Sequence, residues 1–304
     1  MDIYLPIAGL AVNAIVIVAL GALTGLLSGM FGVGGGFLTT PLLIFYGVPP
    51  TVAAASAASQ VTGASVSGVF AHTRRGGVDY QMGGVLVLGG VIGTGIGALL
   101  FRLLTALGQI DTVINVLYVG LLGSIGAFMA RDSIREIRAQ RSGIALPARK
   151  RRHHPLVASL PLRWRFYRSG LYISPLAPLL LGMTTGVLTM LMGIGGGFVL
   201  VPAMLYILGM SASVVVGTSL FQILFVTMTT TMMHALTTKA VDIVLAGLLL
   251  LGSVTGAQVG ASLALQVRPE RLRLVLAAIV LIVALRMVLG LTYRPEAIYT
   301  ITPL

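Results

Sequence analysis

The chain has 304 residues, of which 57% are hydrophobic and 9% are charged, and its mean hydropathy is +1.00. Residues 3–73 and 169–238 contain no charged side chain, although the whole chain has a formal net charge of +12. The core of a water-soluble domain does not exclude charge over stretches of this length. Composition therefore excludes an ordinary soluble protein and predicts a membrane protein.

The apolar runs are continuous and do not alternate, which favours membrane-spanning helices over a β-barrel. We therefore predict an all-α polytopic membrane protein. The chain contains no cysteine, which excludes disulfides and cysteine-based redox or zinc sites. The N-terminus lacks the basic segment of a cleavable signal peptide, so we expect the first apolar segment to be retained.

Five helical segments are predicted in the first half of the chain. The first ends at the cluster Gly32-Val33-Gly34-Gly35-Gly36-Phe37, which interrupts a helix inside an apolar run. A basic linker follows the fifth segment; its start is predicted to extend that helix, and its later, proline-containing part is predicted to be loop. The five segments cover residues 7–31, 37–46, 51–72, 80–102 and 111–129.

The second half repeats the first. The cluster Gly193-Ile194-Gly195-Gly196-Gly197-Phe198 lies 161 residues after the first cluster. An offset of 162 aligns Gln60 with Gln222, and an offset of 163 aligns Asp79 with Asp242. The predicted segments are 178–192, 198–208, 213–234, 241–265 and 271–290. We predict two homologous transmembrane repeats, 1–130 and 175–304, joined by a linker over 131–174.

The basic residues predict an orientation. Eleven of the twenty Lys and Arg residues lie between Arg131 and Arg168. Because such residues accumulate in cytoplasmic loops, the linker is predicted to be cytoplasmic in a multi-pass protein of the bacterial inner membrane. Five crossings per half would give an inverted repeat, typical of secondary transporters. If the short helices, only about 15 Å long, re-entered instead, each half would cross four times and the repeat would be parallel.

The glycine clusters are the candidate site. Each would free the first amides of the following helix, and these amides attract anions together with the positive end of the helix dipole. In an inverted repeat the two helix starts would meet near the midplane and hold an oxyanion without Lys or Arg. The predicted substrate-binding residues are Gly32, Gly34, Gly35, Gly36, Phe37, Ser56, Ser59, Gln60, Gly193, Gly195, Gly196, Gly197, Phe198, Thr218, Ser219 and Gln222.

Several of these residues also have structural explanations. Glycine in membrane helices commonly serves close packing, which is the interpretation preferred for the four-residue-spaced triplets beginning at Gly89 and Gly252. The two glutamines could bridge helices, and Ser or Thr commonly bonds to its own helix. We predict N-caps at the two aligned aspartates and interfacial positions for His72 and His234. None of the eight carboxylates is predicted at mid-membrane.

Enzyme signatures are missing from the sequence. Neither GxxxxGK[ST] nor HExxH occurs, and the glycine clusters do not follow a strand of a βαβ unit. We therefore predict a protein that is not an enzyme, with no catalytic residue, no metal and no cofactor.

The segments GLLSGMFGVGGGFLTTPLL and GVLTMLMGIGGGFVLVPAM, with the downstream V-D and GxxxG elements, resemble the TauE/SafE family. These are bacterial membrane permeases, also called sulfite exporters. The resemblance covers nearly the whole chain except the linker, which is longer and more basic than expected. It implies transport of a sulfur-containing anion such as sulfite or an organosulfonate. Substrate-binding roles carry over only to the glycines of the two clusters.

The resulting hypothesis is a secondary transporter that moves such an anion by alternating access of the two halves. Two alternatives remain open: a passive anion channel of the same fold, and a non-transporting scaffold whose basic linker docks a partner or anionic lipid. The expected partners are the small anion and the lipid bilayer. A homo-oligomer is compatible with the sequence, whereas nucleic acid is not expected.

Overall fold

The computed structural model describes residues 2–31, 33–74, 76–141, 161, 163–264 and 269–292. Each half contributes two longer helices, a ten-residue helix between them, and two further long helices. In the first half these are α1 (Ala14–Phe31), α2 (Gly36–Phe45), α3 (Pro50–Arg74), α4 (Tyr80–Ala106) and α5 (Ile110–Arg141). In the second half they are α6 (Leu176–Met192), α7 (Gly197–Tyr206), α8 (Ala212–Met233), α9 (Ile243–Ala264) and α10 (Pro269–Thr292).

Six helices in the described part of the chain are long and apolar enough to cross a membrane. The prediction of an all-α polytopic membrane protein is confirmed at this level. The helices α2 and α7 have ten residues each, which span only about 15 Å. The six spans are Ala14–Phe31, Tyr80–Ala106, Ile110–Arg135, Val214–Thr238, Ile243–Gly260 and Leu274–Thr292.

A short β-hairpin precedes α1, where a helix from residue 7 was expected. Strand β1 (Asp2–Leu5) pairs antiparallel with β2 (Leu10–Asn13). The expectation of helix is wrong for residues 7–13, because Pro6 interrupts the chain and Gly9 turns it with a φ of +66°. The Gly9 N–H donates to the Leu5 carbonyl at 2.9 Å, which closes the turn.

A second hairpin lies at the end of the predicted linker, before α6. Strand β3 (Trp164–Phe166) pairs with β4 (Leu171–Ile173) around Gly170, whose φ is +65°. The expectation of loop is therefore wrong for these strands. The predicted extension of the fifth helix is confirmed, since α5 reaches Arg141. Residues 142–160 of the linker lie outside the described residues.

The first helix of each half packs against the fourth helix of the other half, and glycines permit the close approach. Along α1, Gly21 faces Leu249 and Gly25 faces Ser253, so α1 and α9 run parallel. On α4, a methyl group at Gly93 would lie 2.0 Å from the Met183 carbonyl oxygen of α6. These contacts confirm the predicted packing seams, whose members are Gly89, Gly93, Gly97, Gly252, Gly256 and Gly260.

Helices α3 and α8 cross at the centre of the bundle in opposite directions. The Thr62 and Thr227 hydroxyls are 2.9 Å apart, and Ser59 meets Thr231 at 3.4 Å. Residue numbers thus rise along α3 as they fall along α8. The middle of each helix carries an apolar contact, Val61 against the side chain of Ile223.

The bundle has two ends, which we name by their contents. The linker end contains the C-termini of α3 and α5 and the β3–β4 hairpin; there, the Arg168 guanidinium contacts the Val78 carbonyl at 3.4 Å. The far end contains the β1–β2 hairpin, the C-terminus of α4 and the end of α2, where the Tyr46 hydroxyl accepts from the Asn13 N–H at 3.3 Å. Helix α2 therefore ends beside the start of α1.

An aspartate caps α4 and α9, as predicted. The Asp79 carboxylate accepts from the N–H groups of Gln81 and Met82, and from the backbone and hydroxyl of Ser169. The Asp242 carboxylate caps α9 in the same way and also accepts from the Ile7 N–H at 3.1 Å. Each cap therefore fixes a helix start and also the hairpin at its own end of the bundle.

Candidate functional site

The two glycine loops, residues 33–35 and 193–196, meet inside the bundle. The rings of Phe37 and Phe198, the second residues of α2 and α7, stack with centroids 4.7 Å apart and planes 7° apart. Both rings are at most 1% exposed. The starts of α2 and α7 are therefore neighbours in the core. Gly32, a predicted site residue, lies outside the described residues.

Only glycine fits where the loops touch. A methyl group at Gly36 would lie 2.6 Å from the Gly193 carbonyl oxygen, and one at Gly197 would lie 2.0 Å from the Val33 carbonyl oxygen. Each loop thus places a backbone carbonyl against the first residue of the other loop's helix. In this conformation the two helix starts cover each other, with little space between their backbones.

The loops also have backbone conformations that favour glycine. Gly34, Gly193 and Gly195 have φ values of +73°, +70° and +76°, a region that side-chain-bearing residues rarely adopt. The capping residues differ between the halves: Gly35 is right-handed with a φ of −55°, whereas Gly196 has a φ of +74°. Two loops of nearly identical sequence therefore adopt different conformations.

Both short helices begin with the same hydrogen-bond pattern. The Gly35 carbonyl accepts from the N–H groups of Leu38 and Thr39, and the Gly196 carbonyl accepts from those of Val199 and Leu200. The N–H groups that precede these donors have no partner inside their own helix, as at any helix N-terminus. Together with the helix dipole they form a positive region free of basic side chains.

Threonines on the first helix of each half border the loops. A methyl group at Gly35 would lie 2.9 Å from the Thr24 carbonyl oxygen, and one at Gly196 would lie 3.0 Å from Cβ of Thr185. Sequence analysis missed both threonines and their i+4 neighbours, Ser28 and Thr189. A signal was available, because all four obey the 161-residue offset of the glycine clusters.

The predicted glutamines reach these threonines. The Gln60 amide donates to the Thr24 hydroxyl at 3.3 Å, and the Gln222 amide donates to the Thr185 hydroxyl at 3.4 Å. Both glutamines are fully buried. Their Oε1 atoms accept no hydrogen bond from any described residue. Each glutamine thus bridges two helices while presenting an unused acceptor next to a glycine loop.

The other predicted polar residues lie elsewhere in the network. The Ser56 hydroxyl accepts from the Asp242 N–H and the Thr218 hydroxyl from the Asp79 N–H, so both serve the helix caps at opposite ends of the bundle. Ser59 contacts Thr231, and Ser219 donates to the Val216 carbonyl of its own helix. These contacts favour structural roles for the four residues.

A cavity of about 190 Å³ opens beside the loops on the side of the linker end. Val33 and Phe198 form its inner wall, and Asp132, Ser133 and Tyr206 supply its polar groups. The Tyr206 hydroxyl donates to the Asp132 carboxylate at 3.0 Å. Apolar residues complete the lining: Phe31, Phe128, Met129, Val201, Pro202, Leu205, Val215, Val216 and Leu276.

A cavity of about 250 Å³ also lies on the far-end side, lined by Ile44, Phe45 and Leu291 among others, but its lining includes no residue of the loops. Hydrogen bonds instead hold the end of α6 on this side. The Met192 carbonyl at the end of α6 accepts from the Tyr118 hydroxyl at 2.6 Å and the Thr40 hydroxyl at 3.2 Å. Both hydroxyl residues are fully buried. At the repeat offsets their counterparts are Leu281 and Val201, which cannot form such bonds. The two sides of the loops therefore differ chemically.

His234 is fully buried within the protein, and its predicted interfacial depth stays a prediction. It begins a π-helical turn, His234–Thr238, that extends α8 towards the far end. Its ring packs edge-on against Phe101, with centroids 5.0 Å apart. The Met190 carbonyl and the Thr238 hydroxyl contact its two ring nitrogens at 3.0 and 3.1 Å. The sequence counterpart, His72, is only partly buried.

No group of three or more metal-ligating side chains occurs among the described residues. Buried aspartates lie only at the helix caps near the two ends. The groups gathered at the loops are backbone amides, hydroxyls and carboxamides, which are suited to hydrogen bonding with a polar solute.

Comparison with known proteins gives a consistent result. The family model described as "Sulfite exporter TauE/SafE" matches residues 17–287. The chain is 26% identical over 275 residues to "Probable membrane transporter protein YjnA" of Bacillus subtilis, covering 90% of this chain and 98% of that protein. It is 28% identical over 255 residues to a "Probable membrane transporter protein" of Xylella fastidiosa, covering 83% and 85%. No solved structure matches the chain.

Proposed function

Because the chain belongs to the TauE/SafE sulfite exporter family, and its curated relatives are named as membrane transporters, we propose that it is a secondary transporter for a small sulfur-containing anion. Sulfite and organosulfonates are the proposed substrates, and the bacterial inner membrane is the proposed location. The observation that carries the proposal is the meeting of two helix starts, marked by the stacked rings of Phe37 and Phe198.

We propose that the two halves form an inverted repeat. Its main support is the antiparallel crossing of the equivalent helices α3 and α8. In a parallel repeat these helices would run in the same direction. Further support comes from α2, which returns to the end of the bundle where α1 begins. Because α1 and α2 together bring the chain back to the far end, only α3, α4 and α5 carry it from one end to the other. Three passages leave the chain at the linker end, so the second half begins there with the opposite orientation.

The anion would bind at the amides that begin α2 and α7. The positive ends of two helices attract negative charge, and glycine lets a solute approach the backbone closely. Thr24 and Gln60 border the first start, and Thr185 and Gln222 border the second. With no lysine or arginine described at the loops, the anion would be held by backbone amides, helix dipoles and hydroxyls.

The difference between the two sides of the loops supports alternating access. A cavity reaches Val33 and Phe198 from the linker end, while Tyr118 and Thr40 bind the Met192 carbonyl on the other side. The conformation described is thus closed towards the far end. In transport, the second half would adopt the conformation now seen in the first, and the first half that of the second. This exchange would close the linker side and open the far side, as inverted repeats do in other transporters.

Orientation follows from the distribution of basic residues. Within the described residues, Arg102, Lys239 and Arg286 lie towards the far end. The linker end holds a larger set: Arg74, Arg131, Arg135, Arg138, Arg163, Arg165 and Arg168. Cytoplasmic loops carry the excess of basic residues, so we place the linker end in the cytoplasm.

Purified protein in liposomes provides the test, with radiolabelled sulfite and radiolabelled 2-hydroxyethanesulfonate as probes. We expect saturable exchange of at least one probe. The double substitution Gly35→Leu plus Gly196→Leu should lower the rate of exchange about a hundredfold, because each leucine would occupy the space beside a helix start. The matched control is Gly84→Leu plus Gly247→Leu, at aligned positions where a methyl group meets no atom within 4 Å.

The same liposomes distinguish the alternatives. A passive channel would conduct without saturation and without stimulation by anion on the opposite side. A scaffold would show no flux for either probe, and its function would depend on residues 142–165 of the linker. Exchange that survives the Gly35/Gly196 double substitution at the control level would overturn the proposed site.

A further inference from the structure

We propose that His234 takes up and releases a proton during each transport cycle, which couples anion movement to the proton gradient. This inference rests on the proposed function and adds the identity of the coupling ion. Ionisable side chains inside a membrane domain are costly, and they commonly mark proton pathways or substrate sites. His234 is fully buried in the π-helical turn, and nothing in the anion site uses it.

The hydrogen bonds of His234 suit both protonation states. The Met190 carbonyl is an acceptor only, so Nε2 of His234 carries a hydrogen and donates to it. Nδ1 contacts the Thr238 hydroxyl at 3.1 Å, and that hydroxyl also lies 2.9 Å from the His234 carbonyl oxygen. Both contacts of the hydroxyl are within bonding range, and a hydroxyl proton can rotate between them.

Proton transfer can therefore occur without leaving a ring nitrogen unpaired. When the ring is neutral, the Thr238 hydroxyl donates to Nδ1. When a proton from water joins Nδ1, the new N–H donates to the Thr238 oxygen, and the hydroxyl proton turns to the His234 carbonyl. Release reverses these changes, and Nε2–H stays on Met190 throughout.

A cavity at the far end reaches Phe101 and Thr238, two of the residues that contact the His234 ring. It measures about 430 Å³ and is lined by Thr237 and Thr238 of the π turn and by Arg102 and Thr105 of α4, with Thr51 and Phe101 beside them. The ionisable groups around His234 are Arg102, Lys239 directly after the π turn, and Asp111 of α5, which contacts the Thr51 backbone. Helix α6 contributes Met190 and has no ionisable residue.

The histidine is also linked to the closed side of the glycine loops. Its partner Met190 lies two residues before Met192, whose carbonyl is held by Tyr118 and Thr40. A positively charged imidazole strengthens the bond to the Met190 carbonyl, because charge-assisted hydrogen bonds are stronger than neutral ones. Burial opposes this gain, because the cost of enclosing a charged ring outweighs one hydrogen bond. Protonation therefore disfavours the arrangement in which His234 is enclosed and the far end is closed, and proton loss favours it.

The experiment uses full-length protein in liposomes with the membrane potential clamped at zero. The probe is radiolabelled 2-hydroxyethanesulfonate, which carries a fixed charge and no titrating group. A gradient of one pH unit should concentrate it about tenfold, because one pH unit and a tenfold concentration ratio are equal in free energy. The side on which it accumulates distinguishes symport from antiport.

Three variants test the residue. His234→Gln should lower pH-driven accumulation relative to exchange about tenfold. Thr238→Val should shift the pH of half-maximal accumulation by about one unit, whereas Thr238→Ser keeps the hydroxyl and should behave as wild type. His72→Gln, at the aligned position in the other half, is the matched control and should keep full accumulation.

Each result decides between the two proposals. Wild-type exchange without any response to pH overturns proton coupling and leaves the transporter proposal intact. Absence of exchange with both the sulfonate and sulfite overturns the transporter proposal and this inference with it. Accumulation at the wild-type level in His234→Gln also overturns the proposed role of His234 in proton coupling. If that variant does not fold, identical pH profiles of Thr238→Val and Thr238→Ser have the same consequence.

Discussion

The two halves of the molecule share one scaffold but differ where the glycine loops meet. Asp79 and Asp242 cap equivalent helices in the same way. By contrast, the capping glycines Gly35 and Gly196 have φ values of −55° and +74°, and only one side of the loops is sealed by Tyr118. The halves thus agree at their caps and differ at their loops, which is where the proposed exchange of conformations would take place.

The largest expected effects concern the symmetric packing seams. Gly93→Ala and Gly256→Ala would place methyl groups 2.0 and 2.1 Å from carbonyl oxygens of the facing helix. Because backbone atoms cannot move aside easily, each should lower the free energy of unfolding by about 3 kcal/mol, measured by thermal unfolding in detergent. Gly84→Ala and Gly247→Ala are the controls and should change little. A large difference between the two halves would contradict a shared scaffold.

Removal of a helix cap should have the next largest effect. Asp79→Ala and Asp242→Ala each lose two cap hydrogen bonds. The first also loses two bonds to Ser169, and the second loses one bond to Ile7. Each should lower the free energy of unfolding by about 2 kcal/mol, with Asn in either position restoring part of it. If the decreases in the free energy of unfolding of the two alanine variants differed by more than about 2 kcal/mol, the caps would not be equivalent.

The buried glutamines should affect transport more than stability. Gln60→Met and Gln222→Met remove one weak hydrogen bond but also an unsatisfied acceptor, so stability should change by less than about 1 kcal/mol. The KM for sulfonate exchange should rise about tenfold if the amides contact the anion. An unchanged KM in both variants would assign the glutamines to helix bridging alone.

The smallest functional effect is expected at the asymmetric seal. Tyr118→Phe loses one hydroxyl bond to the Met192 carbonyl, worth about 1 kcal/mol. Weakening the far-end seal should move the protein away from the conformation open at the linker end. Alkylation of a Val201→Cys reporter in the linker-end cavity should then slow roughly fivefold. Tyr172→Phe, at an exposed tyrosine, should leave this rate unchanged.

Sequence patterns were sufficient for some features of the fold. Charge-free stretches and glycine spacing predicted the membrane helices, the two packing seams and the caps at Asp79 and Asp242, because each depends on local chemistry repeated at a fixed offset. The N-terminal hairpin was missed, since residues 7–12 are apolar and continue almost directly into the apolar helix that follows.

Other features could not be predicted from local sequence. The same glycine motif gives different φ values at Gly35 and Gly196, so the difference must come from surrounding packing. His72 and His234 have aligned positions, yet His234 is fully buried and His72 only partly; local sequence does not reveal this difference in packing. The substrate-binding roles of the loop glycines and of Gln60 and Gln222 stay predictions.

Accessibility of two aligned positions from each side of the membrane tests the account most directly. The natural chain has no cysteine, so Val201→Cys and Thr40→Cys, separated by the repeat offset, can each be labelled alone with an impermeant thiol reagent. We predict labelling of Val201→Cys only from the linker side and of Thr40→Cys only from the opposite side, both slowed by saturating anion. Labelling of both cysteines from the same side, or rates indifferent to the anion, would contradict alternating access around facing helix starts.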